Sequence, residues 1–387
     1  MACTAMPPGP TVALVLTGGG ARAAYQVGVL RAIGQLLPRA AASPFTVVCG
    51  TSAGAFNAAA VAAGAGNFRR SVLLLTGIWR NFHAGEVYRA DVAGVAASGA
   101  RWLAALMLGG LGRGNPVSLF DNAPLARLIA SRLELGGIAR AIDAGALRAL
   151  AVTASSYTSG ESMTFFQGDP TLAGWQRARR LGRPAAVGTP HLMASAAMPF
   201  IFPAVRIGHD YYGDGTMRQV APLSPALHLG ADRLLVVSVG RMGAPLDTAA
   251  SDGYPSLARI GGHALTSIFF DALEADLEQL ERINAAVAQA PVPLSDARGR
   301  LLRRVDYVLL TPSEGLDDIA ARHLDALPRP VRFFLRGVGA MRRSGSSLAS
   351  YLLFERAYTR ALIRLGCADT MARRDEILAL LAPVTPA

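Results

Sequence analysis

Phe45-Thr46-Val47-Val48-Cys49-Gly50-Thr51-Ser52-Ala53-Gly54-Ala55 joins an apolar run to a run of small residues through a G-x-S-x-G sequence. A strand that passes through a tight turn directly into a helix holds the middle serine on a sharp, exposed corner. We expect Gly50 and Gly54 to be required by close backbone approach and by strained φ values. The N–H groups at the start of the helix would favour negative charge at the serine oxygen. Ser52 is therefore the candidate nucleophile.

A chain with 41 glycines in 387 residues can contain a G-x-S-x-G sequence by chance. The motif is therefore informative mainly through its context. The segment Thr11 to Thr17 is continuously apolar and rich in β-branched residues, which predicts a buried strand. It ends at Gly18-Gly19-Gly20, and a helical pattern then continues until Pro38. Two successive strand–turn–helix units are typical of an α/β fold with a parallel sheet covered by helices.

The glycine run Gly18-Gly19-Gly20 has three interpretations. Its backbone N–H groups would form an oxyanion hole, since glycines allow close approach to a developing negative charge. A dinucleotide-binding turn would instead require glycine where Ala23 stands and an acidic residue near Ala42. The third interpretation is a plain turn between a strand and a helix.

Composition narrows the class of partner. The formal net charge is +11, and all 38 basic residues are arginine. Such a surplus favours anionic surfaces such as phospholipid head groups, whereas the lack of a dense basic run argues against nucleic acid as a partner. Cys3, Cys49 and Cys367 lack metal-ligand or disulfide spacing, so we expect a reducing compartment, no metal and no cofactor.

The sequence contains only weak candidates for a targeting signal or a membrane-spanning segment. Met1 to Pro10 lacks the charged and apolar regions of a signal peptide. The apolar stretch Trp102 to Leu111 is shorter than the roughly 20 residues of a membrane span. These features predict a cytoplasmic protein with peripheral contact at the inner, anionic membrane face. Trp102 to Leu108 is the candidate for the segment that enters the interface, and the alternative is a helix packed in the core.

The second half of the chain contributes a candidate general base. Asp214 stands between Gly213 and Gly215, directly after a strand-like segment. Asx turns account for most aspartates in this setting, so the triplet alone does not define a site. Further strands are predicted at 149–155, 163–167, 233–239 and 305–310, with helices between and after them.

Three motifs together suggest a family: Gly18-Gly19-Gly20-Ala21-Arg22, Gly50 to Gly54, and Asp214-Gly215. In this order and spacing, residues 11 to 235 resemble the patatin-like phospholipases. Ala194-Ser195 with Pro199 and Phe202-Pro203 adds to the resemblance.

The resemblance implies a three-layer α/β sandwich with a central, mostly parallel sheet, no metal, and lipid acyl hydrolase activity through a serine–aspartate dyad. By motif match, Ser52 would be the nucleophile, Asp214 the base, and Gly18, Gly19 and Gly20 the oxyanion hole. Gly50, Gly54 and Gly215 would support the turns. Arg22 would orient the glycine turn, meet a substrate phosphate, or form a structural salt bridge.

The chain departs from the family pattern at two positions. Thr216 stands where glycine or alanine usually follows Asp-Gly, and Ala23 replaces the glycine that usually follows the arginine. The resemblance also implies a catalytic domain over 11–235, with extra C-terminal helices from 236–387 packed on it. The sequence leaves the oligomeric state open.

Other functions remain open at this point. An α/β-hydrolase triad would recruit a histidine after the acid, and His228, His263 and His323 satisfy that order. An acyltransferase would differ only in the alcohol that resolves the acyl-enzyme. A non-catalytic nucleotide-binding protein would use the Gly18 turn for phosphate and leave Ser52 and Asp214 without a role.

Overall fold

The computed structural model describes residues 10–91, 94, 118–241, 257–296, 299, 301–337, 339–341 and 346–383. In these ranges ten strands form one mixed sheet. The strands are β1 (Val12–Leu16), β2 (Val47–Thr51), β3 (Ala149–Ser156), β4 (Ser162–Gly168), β5 (Trp175–Arg177), β6 (Arg180–Pro184), β7 (Val205–Ile207), β8 (Asp210–Asp214), β9 (Arg233–Val237) and β10 (Asp306–Leu310).

The parallel part of the sheet positions the functional turns. The strand order is β10-β9-β1-β2-β3-β4-β6-β5, and the first five strands run parallel. β4 runs antiparallel to β3, and β8 pairs antiparallel with both β3 and β7. The carboxyl ends of β1 and β2 therefore lie side by side, so the turns that follow them meet at one edge of the sheet.

Helices follow or connect most of these strands. They are α1 (Ala24–Leu36), α2 (Ala53–Ala63), α3 (Phe68–Arg80), α4 (Ala84–Val87), α5 (Ala123–Arg132), α6 (Gly136–Asp143), α7 (Thr189–Ser195), α8 (Ser224–His228), α9 (Leu257–Gln289), α10 (Leu316–Ala321), α11 (Arg329–Gly337), α12 (Ser346–Leu352), α13 (Arg356–Ala372) and α14 (Arg374–Leu381).

Alternation along the buried strands produces two apolar cores. Leu14 of β1 faces a cluster that includes Tyr25 of α1, while its neighbour Val15 faces a second cluster with Leu273 and Leu277 of α9. Side chains in a strand alternate between the two faces of the sheet, so helices cover both faces. The three-layer α/β sandwich with additional C-terminal helices, predicted from the sequence, is confirmed.

The C-terminal region is joined to the rest of the chain in two ways. β10 extends the parallel sheet beyond β9. α13 packs on α1 so closely that a Cβ on Gly28 would lie 2.3 Å from the carbonyl oxygen of Ile363, and one on Gly366 would lie 2.2 Å from that of Tyr25. The predicted boundary after residue 235 falls inside β9, and the division into 11–235 and 236–387 stays a prediction.

Trp102 to Leu108, the candidate for a membrane-interface segment or a core helix, lies outside the described residues. Across the ranges given above, none of the helices has the length and apolar character that crossing a bilayer requires.

Candidate active site

Ser52 occupies the strained turn between β2 and α2. Its backbone has φ 56° and ψ −129°, in a region that few non-glycine residues adopt. The prediction that Gly50 and Gly54 take strained φ values is wrong, because neither has a positive φ. They are required by close packing: a Cβ on Gly54 would lie 2.4 Å from the Leu16 carbonyl oxygen, and one on Gly50 would lie 2.5 Å from the Gly54 carbonyl oxygen.

The register of the sheet brings Asp214 to this turn. Thr51, the last residue of β2, pairs with Thr153 of β3. The next residue of β3, Ala154, pairs with Asp214 of β8 instead, because the chain has left the sheet at Ser52. Asp214 thus takes the sheet position that the residue after Thr51 would have filled, and its carboxylate lies beside the serine.

The Asp214 carboxylate is buried and held by the residue two positions further on. Its Oδ1 atom accepts hydrogen bonds from Thr216 N–H at 3.0 Å and from Thr216 Oγ1 at 2.6 Å. Burial raises the pKa of Asp214, while the hydrogen bonds from Thr216 and the Ser52 side chain lower it. Thr216, one of the two positions where the chain departs from the family pattern, thus supplies both an amide and a hydroxyl donor to this charge.

The second carboxylate oxygen of Asp214 is not held by Thr216. Asp214 Oδ2 is buried and makes no hydrogen bond of standard geometry to any described residue. The Ser52 hydroxyl still acts on this carboxylate as a donor, since it contributes to lowering the Asp214 pKa. Hydrogen bonds of catalytic groups are often long before substrate binds. The side chains of Ser52 and Asp214 therefore lie next to each other.

Ser195 supports the turn and was not predicted to have a role. Its Oγ accepts a hydrogen bond from the Ser52 N–H at 2.8 Å and donates one to the Thr153 carbonyl at 2.6 Å. The side chain is fully buried at the end of α7. One hydroxyl thus ties the strained residue to the central strand β3. The Ala194-Ser195 motif indicated the family, but only the fold brings Ser195 within reach of Ser52.

The glycine turn after β1 separates into distinct positions. Gly20 has φ 56° and lines the same cavity as Ser52, and a Cβ there would lie 2.3 Å from the carbonyl oxygen of Tyr351. Gly19 precedes a short 3-10 turn that Arg22 N–H closes by donating to the Gly19 carbonyl at 3.1 Å. Gly18 lines a smaller cavity at the ends of β1 and β2. Of the three glycines, Gly20 is thus the one that borders the cavity beside Ser52.

Arg22 connects the glycine turn to the C-terminal helices. Its guanidinium is buried, forms an ion pair with Asp317, donates to Ser350 Oγ at 2.7 Å and lies 4.0 Å above the centre of the Tyr351 ring. Of the three roles considered for Arg22, these contacts support orientation of the turn through a structural salt bridge. Gly215, in turn, packs against Thr153, whose carbonyl oxygen would lie 2.1 Å from a Cβ at that position.

The histidines of the triad hypothesis lie in other surroundings. His228 Nδ1 is 2.7 Å from the Ser224 carbonyl, and its ring stacks on Trp175 at 4.9 Å. His263 is exposed on α9, and His323 follows α10 beside Arg322. Within the described ranges, and apart from their contact with each other, the side chains that hydrogen-bond to Ser52 and Asp214 are those of Ser195 and Thr216, and neither is a histidine.

An apolar cavity opens beside Ser52. It has a volume of about 40 Å³, enough for about three water molecules, and is therefore narrow. Its walls are almost entirely aromatic and aliphatic, which suits a hydrocarbon chain better than a polar group. The lining side chains include Phe56, Trp79, Phe82, Val87, Leu125, Ile129, Leu192, Met198, Phe202 and Phe354.

Among the described residues, no cluster of three or more histidine, cysteine or acidic side chains could hold a metal ion. The site consists of a serine in a strained turn, a buried carboxylate and an apolar cavity. A serine beside a carboxylate and an apolar cavity are the groups that acyl transfer from a lipid ester to a serine oxygen would require.

Known structures and families provide an independent comparison. VipD from Legionella pneumophila is 14% identical over 92% of this chain and 67% of its own, with a TM-score of 0.33. Human GIVD cytosolic phospholipase A2, solved in complex with methyl gamma-linolenyl fluorophosphonate, is 14% identical, with a TM-score of 0.44. That alignment covers 96% of this chain and 58% of the human protein.

A search of curated proteins returned no match. The family model described as Patatin-like phospholipase matches residues 14–227, a range that holds Gly18 to Gly20, Ser52, Ser195 and Asp214. Because this match covers more than half of the 387 residues, the chain belongs to the patatin-like phospholipase family.

Proposed function

We propose that this protein hydrolyses carboxylic ester bonds of lipids through a Ser52–Asp214 dyad. The observation that supports this most strongly is the pairing of Asp214 with Ala154, directly beside the point where β2 ends and Ser52 begins the turn. Membership of the patatin-like phospholipase family supports lipid acyl hydrolase activity in general. The dyad is the specific mechanism that this geometry favours.

In the proposed reaction, the Ser52 oxygen attacks the ester carbonyl carbon as its proton passes to the Asp214 carboxylate. The tetrahedral intermediate collapses, the bond to the alcohol oxygen breaks, and Asp214 returns the proton to the departing alcohol. A water molecule then attacks the acyl-enzyme and gives its proton to Asp214. Release of the fatty acid regenerates the Ser52 hydroxyl and the carboxylate.

The oxyanion of both intermediates requires donors close to Ser52. The glycine turn Gly18-Gly19-Gly20 is the proposed source, since Gly20 shares a cavity with the nucleophile. Backbone N–H groups preorganised in a site that excludes water stabilise such an oxyanion by several kcal/mol, about 3 kcal/mol for a single donor. Arg22 would hold this turn in place through Asp317 and the C-terminal helices.

The proposed acyl site is the narrow apolar cavity next to Ser52. Its small volume favours a short acyl chain. The head group would remain outside the cavity. With the net charge of +11, this arrangement favours reversible contact with an anionic membrane surface. The cytoplasmic location stays a prediction.

The activity is tested with a panel of p-nitrophenyl esters and phospholipids. We expect wild-type protein to release product and Ser52→Ala protein to release none, because alanine removes only the attacking oxygen. Retained folding of the variant is checked by circular dichroism. Equal hydrolysis by both proteins would exclude Ser52 as the nucleophile.

The same assay separates the dyad from a triad. Alanine substitutions at His228, His263 and His323, made one at a time, should leave most of the activity. Complete loss in one folded histidine variant would replace the dyad with a triad.

A further inference from the structure

Two phenylalanine side chains are the most exposed large apolar groups of the described chain. Phe200 is 80% exposed and Phe333 is 81% exposed. Single apolar residues at a surface are common and require no explanation. These two differ because the residue after each of them contacts Phe120, a buried residue at the loop that leads into α5: Phe120 N–H donates to the Ile201 carbonyl, and the Phe334 ring packs on the Phe120 ring.

Phe200 is held outward by a strained backbone. Its φ is 64°, an outlier for a bulky side chain. The strand-like contacts around it are well formed: Leu119 N–H donates to the Phe200 carbonyl at 2.7 Å, and Phe120 N–H donates to the Ile201 carbonyl at 2.9 Å. Strain that the surroundings maintain is typical of functional positions. The exposed ring is therefore a fixed feature of this loop.

The same loop forms part of the acyl cavity. Met198 and Phe202, two positions before and after Phe200, both line the cavity beside Ser52. A molecule that contacts the exposed Phe200 ring would thus touch a loop whose residues two positions away form the cavity wall.

Phe333 reaches this region from α11. The neighbouring Phe334 packs edge-on against Phe120, with ring centroids 6.1 Å apart. Val331 and Leu335 are buried, so the helix is anchored on its inner side. Phe333 points away from this anchor into solvent.

Arginines flank Phe333 on the exposed side of α11. Arg329 and Arg336 lie four positions before and three positions after Phe333, so the three side chains share one helix face. Both arginines are exposed, and neither has an acidic partner within the described ranges. Arg332 is paired with Asp325, and α11 itself contains no acidic residue.

We propose that Phe200, Arg329, Phe333 and Arg336 form a docking face for an anionic phospholipid bilayer. The rings would enter the interfacial layer, and the two arginines would bind lipid phosphates. Unpaired positive charge around an exposed ring complements a negatively charged lipid surface, and the loop carrying Phe200 places that surface next to the cavity. The inference rests on the proposed lipid hydrolysis and assigns the membrane contact to this face.

The test measures co-sedimentation of the full-length protein with vesicles. Wild-type protein should bind vesicles containing phosphatidylglycerol and bind phosphatidylcholine vesicles far more weakly. Arg329→Gln combined with Arg336→Gln should weaken binding about fivefold for each arginine removed. Phe333→Ser should weaken vesicle binding about tenfold, because it removes the ring that would be buried in the interfacial layer of the bilayer.

A matched control separates this face from general charge. Arg69→Gln combined with Arg70→Gln removes two positive charges from α3, where neither arginine has an acidic partner in the described chain. This control should retain vesicle binding. Hydrolysis of a dispersed short-chain ester should be unchanged in all of these variants, which confirms folding. Because binding is measured separately from hydrolysis, failure of the docking face and failure of the proposed activity are distinguishable.

Four results would overturn the proposal. Wild-type protein that does not bind anionic vesicles would exclude a bilayer as the partner. Equal losses in the α11 and α3 double variants would indicate diffuse charge instead of a face. Unchanged binding of both the α11 double variant and Phe333→Ser would exclude these residues. A concentration-dependent dimer that Phe333→Ser abolishes would identify the partner as a second copy of the chain.

Discussion

Ser195 is the residue whose role in the site depends most on the fold. Its hydroxyl accepts from Ser52 N–H and donates to the Thr153 carbonyl, so it couples the strained turn to β3. Ser52 needs this support because its own φ is unfavourable. A residue of this kind positions the nucleophile without touching the substrate.

We therefore predict that Ser195→Ala lowers kcat by about tenfold to a hundredfold with little change in KM, because the serine oxygen is displaced. The loss of a buried hydrogen-bond partner should also cost about 1–3 kcal/mol of stability. Ser43→Ala is the matched control, since Ser43 is a buried serine that bonds to Phe45 before the start of β2 and does not line the cavity beside Ser52. If kcat falls no further in Ser195→Ala than in Ser43→Ala, the positioning role is excluded.

Thr216 adjusts the acidity of the proposed base. Burial raises the Asp214 pKa, and the Thr216 hydroxyl at 2.6 Å counteracts this shift. Asp214 must be ionised to accept the serine proton, so activity should be lost as pH falls through the raised pKa. Thr216→Val removes the hydroxyl donor but keeps the amide donor.

We expect Thr216→Val to move the acidic limb of kcat/KM toward higher pH, because a carboxylate with one donor fewer has a higher pKa. The measurement is a pH–rate profile on a dispersed ester. Thr359→Val is a control with a buried threonine outside the site. An acidic limb that stays in place, or moves to lower pH, would contradict this role of Thr216.

At the scale of secondary structure, the sequence predicted the parallel core well. β1, β2 and β9 are largely apolar runs that are almost entirely buried, and the glycine turns after β1 and β2 mark where helices begin. Such runs are buried on both faces, so their composition alone identifies them.

The antiparallel strands beyond β4 could not be predicted in the same way. β5, β6 and β7 are short, and the pattern of partly exposed side chains in β5 and β7 resembles that of a loop. The pairing of β8 with β3 also depends on contacts between segments about 60 residues apart. Asp214 was found through its family motif, but its place beside Ser52 follows only from this register. For the same reason, Ser195 and Thr216 could not be given roles beforehand.

The apolar cavity is assembled from several elements, and Phe354 comes from the C-terminal region. This ring lies 6.2 Å from Trp79 and 5.8 Å from Phe82, between α12 and α13. In the proposed acyl site, these walls from separate elements would together limit the length of the acyl chain that fits.

We predict that Phe354→Ala raises kcat/KM for long-chain esters relative to short-chain esters, because it enlarges the cavity. The ratio for the two substrates is independent of the folded fraction, which matters because such a substitution costs about 3–5 kcal/mol. Phe68→Ala is the control, since Phe68 packs on Phe45 and does not line the cavity. A ratio that changes equally in both variants would remove Phe354 from the acyl site.

For the whole molecule, the contacts of the C-terminal region favour a single cooperative unit. α13 covers α1 through Gly28 and Gly366, and Arg22 anchors the glycine turn to Asp317. Removal of residues 241–387 would expose Tyr25 and Leu30, which are fully buried in the complete chain.

We therefore expect a chain truncated after residue 240 to lack a cooperative unfolding transition and to aggregate, as measured by differential scanning calorimetry and light scattering. The complete chain is the control. A truncated protein that unfolds cooperatively and remains monomeric would show that the predicted domain 11–235 is independent of the C-terminal region.

The central claim is that Asp214 activates Ser52 without a histidine. It is tested most directly by the rate at which a fluorophosphonate modifies Ser52, with the modified residue identified by mass spectrometry. We predict that the wild-type protein is modified at Ser52 and that Asp214→Asn reacts about a hundredfold more slowly, because the amide cannot accept the serine proton. Modification at a different residue, or an unchanged rate in Asp214→Asn, would contradict the claim.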